Sequence, residues 1–144
     1  YKSGLAVKRI WRRFDYSSIY LLIGGTFAPM YLVSWENVLG IVLFCVQWAL
    51  IIAGLTIICV FGPGRFRPIH YTLYFVIGWS AIMFIPDWFR NDKPLLGWIV
   101  GGGIVYTLGM IPFVKDTKGM HFIWHISVMP GAALHWLGMY LYVY

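Results

Sequence analysis

The stretch GMHFIWHISVMPGAALHWLGMYLYVY, residues 119–144, decides the fold. It runs apolar over the roughly 20 residues a helix needs to cross a bilayer. It does not alternate as a half-buried strand would. It also holds three of the chain's four histidines, His121, His125 and His135. His121 and His125 are four apart, so a helix stacks them on one face. Imidazoles in so apolar a segment are costly and need a partner or a task.

Working outward, four similar runs precede this one, and the five lie at about 15–34, 38–61, 69–88, 95–114 and 119–142. Each is continuous rather than alternating, and isolated strands cannot satisfy their backbone in lipid. The composition agrees: 60% of residues are hydrophobic and 19% aromatic, more apolar surface than a soluble chain of this length can bury. The expected fold is therefore all-α, a polytopic transmembrane helical bundle. A basic juxtamembrane segment, 1–14, precedes the bundle of 15–144, with no domain boundary, linker or signal peptide. Gly24-Gly25 and Pro29 mark a kink or close-packing point in the first span. Phe61-Gly62-Pro63-Gly64 stops the second, and the third is expected to end at Pro86-Asp87. Gly97 and Gly101–Gly103 suit close helix approach in the fourth. Cys45 and Cys59 lie about 21 Å apart along one helix, too far to bridge.

The net charge of +6 reads as a topology signal rather than a nucleic-acid surface, because the charges sit in brief clusters between apolar runs. With the N-terminal segment on one side, five spans place Lys2, Lys8, Arg9, Arg12, Arg13, Arg65, Arg67, Lys115 and Lys118 together. That is nine of the eleven Lys and Arg; Arg90 and Lys93 fall opposite. The positive-inside rule makes the first side cytoplasmic and puts the C-terminus outside. Asp15, His70, His121 and His125 then share the cytoplasmic boundary, and His135 lies about 15 Å deeper than His125.

Two neutral imidazoles on one helix face, with a carboxylate from another helix, form a donor set suited to Zn²⁺. Three protein ligands and one open position would leave room for an activated water. Other readings stay open. The histidines could bond backbone or lipid headgroups. Asp15 could pair with Arg12, Arg13 or Lys118, or cap its helix. His135 is expected to hydrogen-bond a neighbouring helix, and His70, after Pro68 at a helix start, to be a solvated interfacial residue. The Trp and Tyr at span ends fit an aromatic belt. There is no HExxH, GxSxG or phosphate-binding Gly-rich loop.

RRFDYSSIYLLIGGTFAP, residues 12–29, resembles the hemolysin III family, part of the progestin and adipoQ receptor superfamily. There the third helix opens with an Asp-Tyr or Asp-His pair, then an Ile-rich run, Gly-(Ser/Thr)-(Phe/Tyr) and Pro. HFIWHISV, residues 121–128, with His135 beyond it, is similar to the seventh helix. PIHYTLYFVIGW, residues 68–79, is similar to the fifth. The resemblance implies seven helices, a cytoplasmic N-terminus and a zinc ion near the cytoplasmic side, held by Asp15, His121, His125 and a second-helix histidine. His135 and Ser17 would stand around that site or pack near it. Only five spans are expected here, so the chain is expected to be a C-terminal portion lacking the second-helix ligand. The resemblance also implies an integral protein of a bacterial plasma membrane whose partners are lipids and not nucleic acid. Three functions are compatible with it: a zinc-dependent lipid amide hydrolase acting on ceramide-like substrates, a cytolytic pore-type protein, or a receptor-like protein with structural zinc.

Overall fold

The structure, a computed structural model, describes residues 2–34, 37–115, 117 and 119–143, with side chains from Gly4 onward. Trp35 and Glu36, expected in the first connection, and Asp116 and Lys118, expected in the last, lie outside the described residues. So does the Lys118 partner considered for Asp15. The described residues are almost wholly helical and form no strand. They fall into two compact units, Tyr1–Ile77 and Gly78–Tyr144.

In the first unit, α1 runs from Lys2 to Pro29 and continues as a π-helical turn, Met30–Ser34. Leu5, Val7, Ile10, Trp11 and Phe14 carry the helix back through the basic segment, so Asp15 lies well inside α1 rather than at its start. Its backbone N–H is an interior one, which removes the helix-capping role considered for Asp15. From Asp15 to Ser34 the rise is about 28 Å, close to the hydrocarbon thickness. Pro29 lacks an N–H and crowds the preceding turn, and the wider π-turn follows directly. Met30 and Tyr31 in that turn are buried.

Asn37 starts α2, Val38–Phe61, with its Oδ1 accepting from Gly40 N at 2.9 Å. Gly62, at φ 75°, ends it as the Phe61-Gly62-Pro63-Gly64 signal predicts. α1 and α2 pack through glycines. A Cβ on Gly54 would overlap the Tyr20 ring, and one on Gly24 would stand 2.8 Å from Ile51 Cδ1. α3, Arg67–Gly78, buries His70, Tyr74 and Ile77.

In the second unit, a 3₁₀ stretch, Trp79–Phe84, precedes α4, Ile85–Asn91. Pro86 does not end this helix as the sequence suggested. It sits at the start of α4, where its missing N–H costs nothing, and the turns before it tighten to 3₁₀ geometry. α5, Lys93–Lys115, and α6, Met120–Tyr142, form a closely packed antiparallel hairpin. The chain enters α6 through Gly119 at φ 87°. Phe84 and Trp88 stack at 5.2 Å, and both are fully buried, as is Leu95 of α5.

Four helical stretches, Gly4–Ser34, Val38–Phe61, Arg67–Asn91 and Lys93–Lys115, are long and apolar enough to cross a membrane. α6 has 23 residues, enough for a span, with histidine, tryptophan and tyrosine diluting its aliphatic content. The outer faces carry large apolar side chains such as Val38, Met129, Phe122 and Val60, all more than 60% exposed. Lipid is the solvent those faces fit.

Candidate metal centre

α6 opens with Met120 N donating to Thr117 O at 3.0 Å and Ile123 N donating to Gly119 O at 3.2 Å. These bonds set His121 in the first turn and His125 one turn later. Their Nε2 atoms stand 3.0 Å apart, with the rings nearly perpendicular at 83° and centroids 4.6 Å apart. Phe113 of α5 lies beside His121 at 6.4 Å and packs on Trp124 at 4.9 Å, so it braces the turn between the two histidines. Both imidazoles are exposed on the surface of the chain.

Two nitrogens each 2.0–2.1 Å from a tetrahedral zinc stand about 3.3 Å apart. The His121–His125 spacing is within a few tenths of an ångström of that, so the pair fits two positions of such a metal. Without a metal, the same spacing is a hydrogen bond in which one imidazole carries its proton on Nε2 and the other does not. His135 is on the same helix but not in this pair. It is buried, and its Nε2–H donates to Ile99 O of α5 at 3.0 Å.

Asp15 and Ser17 belong to the first unit, both half-buried on α1. The Asp15 carbonyl accepts from Ser18 Oγ at 2.7 Å. The turn that carries Asp15 is clamped by α3. Tyr74 OH donates to Tyr16 O at 2.7 Å, Tyr16 OH meets Tyr71 OH at 3.3 Å, and Tyr20 OH meets His70 Nδ1 at 3.0 Å. The Tyr20 and Tyr74 rings lie 4.5 Å apart.

His70 corrects the sequence reading. It is not solvated at an interface but fully buried against Tyr20, Tyr16 and Tyr74. Tyr16 and Tyr20 are four apart on one helix, as are His70 and Tyr74 on another, a spacing that by itself does not say which faces meet. Two polar-tipped aromatic stripes with that spacing can interdigitate.

The family model described as "Haemolysin-III related" matches residues 1–136. Hemolysin-3 of Bacillus cereus is 33% identical over 139 residues, covering 95% of this chain and 63% of that protein. Hemolysin-3 homolog of Bacillus subtilis (strain 168) is 33% identical over 135 residues, covering 88% of this chain and 60% of that protein. Monocyte to macrophage differentiation factor of Homo sapiens is 27% identical over 144 residues, covering 96% of this chain and 58% of that protein. The chain thus spans about three fifths of the length of these curated relatives. No solved structure matches it.

Proposed function

The chain belongs to the haemolysin-III related family, and from that premise we propose that it holds a zinc ion through Asp15, His121 and His125 and acts there on membrane lipids by hydrolysing an amide bond. The observation that carries the reading is the His121–His125 pair, with its two Nε2 atoms 3.0 Å apart. A carboxylate and two imidazoles are a donor set that could hold a metal ion, and their chemistry suits zinc over harder cations. A bound zinc supplies Lewis-acid polarisation of a carbonyl and acidifies water. The chain's own residues do the rest. The imidazoles lend neutral lone pairs, Asp15 lends negative charge, and the apolar outer faces keep the surroundings lipid-like. The charge pattern supports an orientation with the N-terminal basic turns toward the cytoplasm, and with it a site at the cytoplasmic boundary of the plasma membrane.

Elemental analysis of the purified chain tests the ligand set. The expected result is one zinc per chain, lost in His121→Ala, His125→Ala and Asp15→Asn. Wild type without zinc, or variants that retain it, would sink the assignment. Release of fatty acid from a ceramide, abolished by a chelator, tests the reaction. Zinc whose removal lowers thermal stability, with no turnover to lose, marks it as structural instead. The relatives' printed name, Hemolysin-3, favours membrane lysis as a second reading. That reading requires dye release from liposomes whether or not a chelator is present.

A further inference from the structure

We infer that the α5–α6 hairpin carries a second site, independent of the metal, which binds one neutral hydroxyl group between Tyr106 and His135. His135 is only 4% exposed, and its Nε2–H is committed to Ile99 O. A neutral imidazole so committed presents a bare lone pair at Nδ1, and that nitrogen has no hydrogen-bond partner. The Tyr106 hydroxyl is likewise buried and without a partner. One of these atoms accepts and the other can donate. Their rings lie 5.4 Å apart, centroid to centroid.

Packing against glycines holds both rings in place. A Cβ on Gly131 would stand 3.2 Å from three atoms of the Tyr106 ring, so that ring lies flat on the α6 backbone. A Cβ on Gly102 would overlap the His135 ring at Cδ2 and Nε2, so His135 fills the space that glycine leaves on α5. Gly102 and Tyr106 are one turn apart on α5, and Gly131 and His135 are one turn apart on α6. Each large side chain is pinned by the glycine opposite, and a buried polar group left unbonded in an apolar surrounding is costly.

A hydroxyl matches both atoms: it donates to His135 Nδ1 and accepts from Tyr106 O–H. An ion does not match. α5 carries no charged residue between Lys93 and Lys115, and α6 carries none at all, so an ion there would have no counter-charge. The hydroxyl has two sources, a buried water or the free hydroxyl of a membrane lipid such as a diacylglycerol.

The test uses the chain labelled with nitrogen-15 histidine in phosphatidylcholine nanodiscs, with the His135 resonances assigned by their loss in His135→Gln. A held water places the His135 Nδ1 signal at a hydrogen-bonded position before any lipid is added. A lipid hydroxyl places it there only on adding dioctanoylglycerol, and not its acetylated analogue. In both cases Tyr106→Phe returns the signal toward the unbonded position. A wild-type Nδ1 signal at the unbonded position under every condition overturns the site. So does a bonded signal that Tyr106→Phe leaves unmoved. The comparison of free and acetylated lipid needs no variant, so it stands even if a substitution disturbs the hairpin.

Discussion

Gly102→Ala should loosen the α5–α6 hairpin, while the same change one residue earlier, at Gly101, should not. The Cβ placed on Gly102 overlaps the His135 ring and comes within 3.1 Å of Gly131 O, whereas one on Gly101 meets nothing within 4 Å. Relief at Gly102 requires the ring to leave its rotamer or the helices to part, an overpacking cost of about 1–3 kcal/mol. Moving the ring also breaks the His135–Ile99 bond; interhelical bonds in membranes average about 0.6 kcal/mol. Against this, alanine gains up to about 1 kcal/mol over glycine in a helix interior. The net loss expected for Gly102→Ala is therefore roughly 2 kcal/mol, and Gly101→Ala should be neutral or stabilising by up to about 1 kcal/mol. Reversible unfolding in mixed detergent micelles, followed by circular dichroism, reads both. A double-mutant cycle isolates the cause: in a His135→Ala background the penalty for Gly102→Ala should largely vanish, a coupling of about 1–3 kcal/mol. Equal destabilisation by Gly101→Ala and Gly102→Ala, or no coupling to His135, would refute the packing argument.

Tyr20→Phe leaves His70 Nδ1 without its partner and should lower unfolding stability by about 1 kcal/mol, measured in the same micelle titration. Asn37→Ala removes the Oδ1 cap on Gly40 N and should cost about 1 kcal/mol, with Asn37→Asp keeping most of it; a thermal scan decides. If the proposed zinc is bound, a chelator should lower the melting temperature of wild type and not of His125→Ala; differential scanning in detergent, with zinc added back, checks this.

The shared face of His121 and His125 needs only the 3.6-residue period of a helix, so four-residue spacing is enough to read it. The burial of His70 was not legible in this way, because it depends on Tyr16 and Tyr20, some 50 residues away in sequence. No local feature states which residue of one helix meets which of another. Pro86 reads as a stop in one dimension because proline forbids a helix interior, yet it also favours a helix start. Which of the two applies depends on whether the chain before it can tighten.

By itself the sequence determined that this chain is a set of membrane-spanning helices and which family it belongs to. Those follow from continuous hydrophobicity, backbone hydrogen-bonding demand in lipid and ordered motifs, all properties of the chain read in one dimension. The tertiary structure decided which polar groups are paired. It put His70 on Tyr20, His135 on Ile99 and into the gap at Gly102, and left His135 Nδ1 and the Tyr106 hydroxyl unbonded. Helix register sets those pairings, and register is a sum of many small contacts between distant residues that no single stretch of sequence contains.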